Sequence, residues 1–524
     1  MRIGVDVGGT NTDAALMDGD AVVATTKTAT TRDVSSGVVS AISAVLAEKG
    51  QSPASIDVVM IGTTHFTNAM VERRGLARVA VIRLCLPATR SLPPMIDWPA
   101  DIAEIIGSDV YLAKGGYEFD GRKINDLDPD ELRGIVADIK RKGVPNIAIS
   151  SVFAPLNAEM EQRAAEIVRE VYPEARVTLS YEIGRVGLLE RENATIINAA
   201  LADLAVDVVE AFRNALRELR ISAPLYISQN DGTLMSAEMV ERYPVLTFAS
   251  GPTNSMRGAA FLSKAKDAIV VDIGGTTTDV GVLVGGFPRQ ASSRVEIGGV
   301  RTNFRMPDVL SIGVGGGSLI SDKDGVKVGP KSVGYRLTEE ALVFGGKTLT
   351  ASDIVVAAGA VEMGDPSLVR DLDPSLVEAA RALINQKVNE AIDRVKTSAA
   401  KAPVILVGGG AVLVTGDLPA ASEVIRPEHS SVANAIGAAI AQVGGEIDKV
   451  YDFNALGREA ALDIARGEAR DRAIEAGADP STIAIVHVEE IPLAYLPGAV
   501  RVNVKAVGDL HATKAQRMKG AAAE

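Results

Sequence analysis

Residues 5–16 read VDVGGTNTDAAL, and residues 271–282 read VDIGGTTTDVGV. Seven of the twelve aligned positions are identical. In each copy a short apolar run leads into Asp, then Gly-Gly-Thr, and then Thr-Asp. One glycine-rich turn after a strand often makes only a tight hairpin, whereas two copies in the same frame indicate a duplicated structural unit.

Length and composition restrict the class of protein. The chain has 524 residues, too many for one hydrophobic core, so we expect two or three domains. Its net charge of −13 argues against a general binder of nucleic acid or anionic membranes, since both need a basic surface. One cysteine, Cys85, excludes an internal disulfide and a Cys-rich metal cluster. We see no signal peptide and no apolar run of about 18 residues, and therefore expect a soluble cytoplasmic protein.

Short apolar runs alternate with longer amphipathic stretches, which predicts βαβ units and a largely parallel sheet. A long helical region is predicted from about 189 to 220, and short strands with glycine turns from about 287 to 333. A charged helix and two alternating strands near the end predict a small α+β C-terminal appendage, followed by a frayed tail. The predicted domain boundaries are 1–190, 191–445 and 446–524.

The repeated motif has a chemical meaning at the end of a strand. Its aspartate lies at the carboxyl end of the sheet, where α/β proteins bind ligands. Its glycines let the backbone approach an anion closely, and its hydroxyl and N–H groups bind phosphate oxygens. A third glycine-rich strand end, LVGGGA at 406–411, strengthens this interpretation over three unrelated turns.

Two βαβ halves with matching phosphate loops resemble the sugar kinase, Hsp70 and actin superfamily. That resemblance implies two duplicated RNase H-like domains around a nucleotide cleft. Val5–Thr12 is similar to the first phosphate motif, Val271–Thr278 to the second, and Leu406–Ala411 to the adenosine motif. Glu190–Ala200 and Val432–Ala441 resemble the two connecting helices.

Within that superfamily the chain resembles the hydantoinase/oxoprolinase A family over about residues 2–445. GTTHFTNAMVERRG (62–75) is similar to the family's G-T-T-x-x-T-N-A-x-x-E-R-x-G segment, a far more specific match than a glycine loop. FASGPTNSMRGA (248–259), SIGVGGGS (311–318) and VGPKSVG (328–334) resemble three further motifs. The family's Pro-Gly-Pro-Ala-Cys-Tyr-Gly run and the Arg-Tyr-x-Gly-Gln ending of its longer members are absent. We therefore expect a compact variant whose substrate need not be that of the long forms.

Members of this family use ATP to open or carboxylate unreactive small molecules. The resemblance implies an ATP-dependent hydrolase, or its ATPase subunit, that opens a hydantoin, 5-oxoproline or lactam through phosphorylation of the carbonyl oxygen. It also implies Mg²⁺ as cofactor and a B-type or other partner subunit in a homo- or hetero-oligomer.

The resemblance also implies site residues. Asp6 and Asp272 would organise Mg²⁺, directly or through water, and Asp272 is also a candidate base. The expected phosphate-binding residues are Gly8, Gly9, Thr10, Asn11, Thr12, Gly274, Gly275, Thr276, Thr277 and Thr278. The expected adenosine-binding residues are Gly408, Gly409 and Gly410. The candidate substrate residues are Thr63, Thr64, His65, Thr67, Asn68 and Arg73. Two questions stay open. Asp13 and Asp279 either support the motif aspartates or only satisfy a turn or helix cap. His65 is either a substrate contact or a surface or capping histidine without a role in the site.

Two other functions fit parts of the sequence. A ROK-type kinase also opens with Asp-x-Gly-Gly-Thr, but it carries a Cys-rich zinc motif and an Asp-Asn catalytic pair. One cysteine argues against the zinc motif, and QND at 229–231 is a poor substitute for the pair. An ATP-driven reactivase would leave the match at 62–75 unexplained.

Overall fold

The computed structural model describes residues 1–9, 11–30, 34–291, 295–322, 325–494 and 496–510. Thr10 and the predicted frayed tail lie outside the described residues. The strands in chain order are β1 (Arg2–Val7), β2 (Asn11–Asp18), β3 (Ala21–Ala29), β4 (Val58–Thr63), β5 (Val79–Leu86), β6 (Val110–Lys114), β7 (Asn146–Ser151), β8 (Arg176–Leu179), β9 (Leu225–Ser228), β10 (Leu234–Ser236), β11 (Ala268–Ile273), β12 (Thr278–Val284), β13 (Phe287–Pro288), β14 (Val295–Ile297), β15 (Val300–Thr302), β16 (Val309–Ile312), β17 (Ser318–Ser321), β18 (Lys327–Ser332), β19 (Ala402–Val407), β20 (Ala421–Ile425), β21 (Val443–Asp452), β22 (Ala484–Pro492) and β23 (Ala499–Gly508).

The helices in chain order are α1 (Val34–Glu48), α2 (His65–Glu72), α3 (Ala100–Ile106), α4 (Pro129–Lys142), α5 (Glu159–Val171), α6 (Ser180–Ile183), α7 (Leu188–Ala200), α8 (Ala202–Glu218), α9 (Ala237–Arg242), α10 (Ser250–Ser263), α11 (Leu337–Glu340), α12 (Ala351–Ala357), α13 (Pro374–Val395), α14 (Ala433–Ala439), α15 (Phe453–Leu456) and α16 (Arg458–Glu475). Short 3₁₀ turns lie at Pro53–Ser55, Pro244–Thr247, Gly334–Arg336, Leu342–Phe344, Pro366–Val369, Ala411–Leu413, Ser430–Val432 and Pro480–Thr482. In the parts of the chain described above, no helix is both long and apolar enough to cross a membrane.

Local sequence explains many of these elements. In α4, for example, the Asp128 side chain accepts hydrogen bonds from two backbone N–H groups of the first turn, and Pro129 occupies the first helical position. Gly143 ends the helix in the left-handed region with φ of 68°. Strand β1 is buried over five of its six positions, as expected for a strand covered on both faces.

The largest sheet has nine strands in the order β22-β23-β21-β10-β9-β4-β1-β2-β3. A second sheet of six strands has the order β13-β12-β11-β19-β20, with β16 paired to β12. The four strands β6-β5-β7-β8 form a separate, wholly parallel sheet. Helices α1 and α8 cover the first sheet, and α13 covers the second.

The duplication predicted from the sequence is confirmed in the strand register. In the first copy β1 is antiparallel to β2 and parallel to β4, and Asp6 faces Asp13. In the second copy β11 is antiparallel to β12 and parallel to β19, and Asp272 faces Asp279. The α/β fold thus contains two equivalent hairpins, one in each large sheet.

The predicted C-terminal α+β element is present as α16, β22 and β23, but it is not separate from the first sheet. Strand β21 pairs with β10 and with β23, so the sheet continues through it into the C-terminal hairpin. The first sheet also takes β9 and β10 from the middle of the chain. The contiguous domain boundaries at 190/191 and 445/446 stay a prediction, because the sheets collect strands from both sides of them.

Helices α10 and α14 cross each other with their backbones in contact. A Cβ added at Gly258 would lie 1.8 Å from the Ala433 carbonyl oxygen. A Cβ added at Gly437 would lie 1.8 Å from the Asn254 carbonyl oxygen. Glu190–Ala200, which resembles a connecting helix of the superfamily, is helical, but it is not the helix that crosses α14. That segment, in α7, packs instead on β7 and β8, since its Arg191 and Glu192 bind partners in the four-stranded sheet.

We predict that Gly437→Ala destabilises the protein by at least about 1–3 kcal/mol, because the methyl group has no space between two helix backbones. The matched control is Gly134→Ala in α4, where an added Cβ meets no atom within 4 Å. The control should be neutral or stabilise by up to about 1 kcal/mol. Urea unfolding followed by circular dichroism measures both, and a fully stable Gly437→Ala protein would contradict the close crossing.

Candidate active site

Each repeated motif forms a tight turn at the end of its first strand. The Gly8 N–H donates to the Asn11 carbonyl oxygen at 3.0 Å, and the Gly274 N–H donates to the Thr277 carbonyl oxygen at 2.9 Å. The two loops therefore close with the same hydrogen bond at equivalent positions. Gly9 has open space around its Cα, since an added Cβ would meet no atom within 4 Å.

Asp6 lies at the carboxyl end of β1 and is only 4 % exposed. Asn254 Nδ2 donates to its Oδ1 at 3.2 Å, and Asn434 Nδ2 donates to its Oδ2 at 3.0 Å. Burial raises the pKa of Asp6 to about 6, although these two amides oppose the shift. The fold thus holds a carboxylate in a place where its charge is costly.

Asp272 occupies the equivalent position in the second copy and is partly buried. Its carboxylate accepts a hydrogen bond from Ser255, the residue next to Asn254. Burial raises the pKa of Asp272 to about 7, and the nearby charges of Asp279 and Asp6 add to the shift. Because Asp6 acts on Asp272 electrostatically, the two predicted catalytic aspartates belong to one polar region.

Asp13 and Asp279 bind other side chains, so they do not simply satisfy the backbone of a turn. Asp13 forms an ion pair with Lys27 at 2.6 Å and accepts a hydrogen bond from Asn434 Nδ2 at 2.9 Å. Asp279 accepts a hydrogen bond from the Ser311 hydroxyl, and burial raises its pKa. Both residues face their motif aspartates across the hairpins, which favours the interpretation that they support those groups.

The glycine segment 315–317 packs against the second loop, residues 274–276. The Gly316 N–H donates to the Gly274 carbonyl oxygen at 3.0 Å, and the Gly317 N–H donates to the Gly275 carbonyl oxygen at 2.7 Å. A Cβ at Gly315 would lie 2.6 Å from the Thr276 nitrogen. The SIGVGGGS segment therefore holds the loop from below.

The third glycine segment lies against the same hairpin. A Cβ at Gly408, whose φ is +87°, would lie 2.2 Å from Asp272 Oδ1. The Gly410 N–H donates to the Ile273 carbonyl oxygen at 2.7 Å. By contrast, a Cβ at Gly409 would meet no atom within 4 Å, so this residue faces open space. The structure thus brings the predicted adenosine loop beside the second predicted phosphate loop.

The predicted phosphate-binding hydroxyls fall into two groups. The Thr278 hydroxyl is buried and donates to the Val314 carbonyl oxygen at 2.6 Å. Thr12 is also fully buried, and its hydroxyl lies 3.2 Å from that of Thr30. Thr276 and Thr277 are exposed at the turn. Of the predicted hydroxyls that the structure describes, only this exposed pair is therefore placed to bind a ligand.

Three of the predicted substrate residues lie beside the first loop. Thr63 pairs with Val7 in the parallel register of β4 and β1, and the Thr64 hydroxyl donates to the Val7 carbonyl oxygen at 3.3 Å. Thr63 Oγ1 and His65 Nδ1 are 2.5 Å apart. Burial lowers the pKa of His65, which favours the neutral imidazole.

The other three are spread along α2. The Thr67 hydroxyl donates to the Phe248 carbonyl oxygen at 2.7 Å, and Asn68 is exposed. Arg73 lies at the C-terminal end of α2, where it donates to Asp101 and to the Gly298 carbonyl oxygen. The structure therefore does not bring Arg73 to the end of the helix that adjoins Asp6.

Sequence reasoning missed the residues that hold the two aspartates: Asn254, Ser255 and Asn434. A signal for them exists in the chain. Gly-Ala-Ala occurs at 258–260 and again at 437–439, and the polar residue three positions before each glycine is Ser255 in one copy and Asn434 in the other. Each of these residues binds the motif aspartate of one hairpin.

The donor set is consistent with Mg²⁺. This ion prefers oxygen ligands and is commonly held by one or two carboxylates together with water and phosphate oxygens. Asp6 and Asp272 supply two carboxylates, and Asn254 Oδ1 is buried without a hydrogen-bond partner. Among the described residues, no group of three or more His, Cys, Asp and Glu side chains could hold a metal. The residues fit a cation completed by water and phosphate, not an all-protein cage.

Comparison with known proteins identifies related chains. Residues 2–172 match the hydantoinase/oxoprolinase N-terminal region, and residues 191–406 match hydantoinase/oxoprolinase. The acetophenone carboxylase gamma subunit of Aromatoleum aromaticum is 26 % identical over 68 % of this chain and 53 % of its own length. The caprolactamase subunit alpha of Pseudomonas jessenii is 25 % identical over 75 % of this chain and 60 % of its own length. The chain thus spans between about half and two thirds of these relatives.

A solved structure has the same fold. The ATP-dependent caprolactamase from Pseudomonas jessenii superimposes with a TM-score of 0.78 at 19 % identity. The superposition covers 98 % of this chain and 88 % of that one.

We predict that Asp272→Asn stabilises the ligand-free protein at pH 8, because the buried carboxylate is charged there. A carboxyl whose pKa is raised on folding contributes stability below its unfolded pKa of 3.8, and this is lost as pH rises through about 7. In buffer with a metal chelator, the variant should gain on the order of 2–4 kcal/mol over the parent at pH 8. The gain should disappear towards pH 4. Asp371→Asn, at an exposed position, is the control. If the unfolding free energies of the parent and Asp272→Asn changed with pH in parallel, the raised pKa of Asp272 would be refuted.

We also predict that changes at the two open loops weaken ATP binding without unfolding the protein. Thr276→Ala should lower the affinity about two- to tenfold through loss of one hydrogen bond. Gly409→Asp should lower it at least about tenfold, since it would insert a charged carboxylate against the bound nucleotide. Gly467→Asp in α16, where an added Cβ also meets no atom within 4 Å, is the matched control. Calorimetry measures all three, and unchanged affinity in the first two would reduce the loops to simple turns.

Proposed function

Because this chain belongs to the hydantoinase/oxoprolinase family, we propose that it is an ATP-dependent enzyme that opens a small cyclic amide. The observation that carries the proposal is the pair of equivalent hairpins, whose strand pairing places Asp6 and Asp272 at the same position in each copy. The similarity to caprolactamase in fold and sequence supports an amide substrate such as a lactam, hydantoin or 5-oxoproline.

The proposed chemistry overcomes the low reactivity of an amide carbonyl. The amide oxygen attacks the γ-phosphorus of ATP and ADP leaves. Water then adds to the ring carbon, and the C–N bond breaks as the nitrogen takes a proton. A second water releases phosphate from the resulting acyl phosphate, which leaves the ring-opened amino acid. Such phosphoryl transfer depends mainly on positioning and electrostatic stabilisation.

The chain's own residues have distinct roles in this proposal. The backbone N–H groups and exposed hydroxyls of the two loops bind the phosphates, and the segment 408–410 lies against the nucleoside. Asp272 orients the water that adds to the ring carbon and accepts its proton, a role that suits a carboxyl whose pKa is raised to about 7. Mg²⁺ bound by Asp6 and Asp272, directly or through water, would neutralise charge on the transferring phosphoryl group. Thr64 and His65, which are both partly exposed, are the proposed contacts for the amide.

We further propose that the chain works in the cytoplasm with a partner subunit. Two of the relatives carry subunit names, caprolactamase subunit alpha and acetophenone carboxylase gamma subunit. A B-type partner would supply the hydrolytic half of the reaction.

The described residues do not favour the kinase alternative. The Asn230 amide donates to the Val245 carbonyl oxygen at 2.9 Å and to the Arg305 carbonyl oxygen at 3.1 Å. Asp231 forms an ion pair with Lys505 at 2.9 Å. Both side chains are thus occupied in the fold, unlike a free catalytic pair.

We predict that the ATPase rate rises with at least one cyclic amide when it is measured against a panel of hydantoins and lactams, with and without the product of the neighbouring gene. Asp272→Asn should reduce this stimulated rate by a factor on the order of 100 or more, with the fold retained. Asp371→Asn is again the exposed control. A rate that responds only to a protein, and to no cyclic amide, would favour a reactivase instead. A rate within about twofold of the parent for Asp272→Asn would remove this residue from the mechanism.

A further inference from the structure

The two motif aspartates have equivalent backbone positions but different surroundings. Both oxygens of Asp6 accept a hydrogen bond from an asparagine amide, at 3.2 Å from Asn254 and 3.0 Å from Asn434. Asp6 is only 4 % exposed. Two N–H donors and near-complete burial leave this carboxylate little freedom to turn towards a ligand.

The surroundings of Asp6 are rigid because they are built on the crossing helices. Asn254 belongs to α10 and Asn434 to α14, so one carboxylate is held between both helices. Gly62 closes the remaining side, since a Cβ there would lie 2.3 Å from both Asp6 Oδ1 and Asn254 Nδ2. Asn434 Nδ2 also donates to Asp13 at 2.9 Å. This bond connects the asparagine pair around Asp6, Asn254 and Asn434, to the other strand of the hairpin.

Asp272 also has a glycine packed against it, since a Cβ at Gly408 would lie 2.2 Å from its Oδ1, but its side-chain donor is a hydroxyl and not a pair of amides. Its side-chain hydrogen bond comes from Ser255, whose hydroxyl is a single donor, and the residue as a whole is less buried than Asp6. Ser255 precedes Gly258 by three positions, as Asn434 precedes Gly437. The duplicated framework thus places an amide beside Asp6 and a smaller hydroxyl beside Asp272.

Resting on the proposed function, we propose that the duplicated aspartates have different roles. Asp272 is the carboxylate that faces the cation and the reacting oxygen, whereas Asp6 acts as a fixed anion behind it and reaches the cation only through water. Asn254 and Asn434 are positioning residues that hold Asp6 in one orientation, because each of their amides donates to a different oxygen of the carboxylate.

The first test compares the two aspartates by calorimetry with a non-hydrolysable ATP analogue, with and without Mg²⁺. This readout needs no amide substrate and no turnover. Asp272→Asn should remove at least about ten times more of the Mg²⁺-dependent affinity than Asp6→Asn does. Equal losses would overturn the division of roles. If the parent does not bind the analogue under any condition, the proposed function itself fails.

The second test asks whether Asn434 acts through Asp6. Asn434→Leu alone should weaken Mg²⁺-dependent analogue binding about three- to tenfold, while Mg²⁺-free binding stays within twofold. Combined with Asp6→Asn, it should add less than a twofold further loss, since the group it positions has already lost its charge. Losses that multiply in the double variant would show a structural effect independent of Asp6 and would overturn the inference.

Two further variants are needed to interpret this double-mutant cycle of Asn434 and Asp6. Asn434→Ser is the milder variant if the leucine variant does not fold, and it should show the same non-additivity with Asp6→Asn. Asn214→Leu, at an exposed position of α8, is the matched control and should bind the analogue as the parent does. Asn254→Leu, alone and combined with Asp6→Asn, should give the same non-additive loss of Mg²⁺-dependent binding. Losses that multiply would show that Asn254 does not act through Asp6.

Discussion

The contact between two helix backbones is the constraint on which the site depends. Helices α10 and α14 approach so closely at Gly258 and Gly437 that neither position has space for a methyl group. One turn or less from this crossing, Asn254 and Ser255 on one helix and Asn434 on the other reach the motif aspartates. A wider crossing would withdraw these donors, so backbone packing sets the geometry of both carboxylates.

Stability and chemistry are opposed at this point of the fold. Burial raises the pKa of Asp6 to about 6 and that of Asp272 to about 7, so both carboxylates are charged at a cost near neutral pH. A bound cation would offset that cost, as would any ligand that binds only the folded state. The amides around Asp6 reduce the penalty without removing it. Protein folds commonly accept such a penalty where a charged group is needed.

Glycine serves two separate purposes around the second hairpin. Gly408 and Gly315 are required for packing, since a side chain would collide with Asp272 Oδ1 at one and with the Thr276 nitrogen at the other. Gly409 faces open space and is not required for packing. A glycine-rich motif therefore combines residues that bring segments together with residues that leave space for a ligand. The printed sequence does not distinguish them, because both kinds read as Gly.

The sequence by itself determined the two hairpins, their aspartates and the family, because a strand, a tight turn and a returning strand are specified by neighbouring residues. It also indicated the loop at 408–410. Only the tertiary structure decided which side chains surround the aspartates, because α10 and α14 lie far apart in the chain and meet only through packing. For the same reason the sequence could not show that Thr278 serves the fold and that Arg73 lies at the far end of its helix. Local patterns specify strands and turns, whereas the neighbours of a charge depend on long-range contacts.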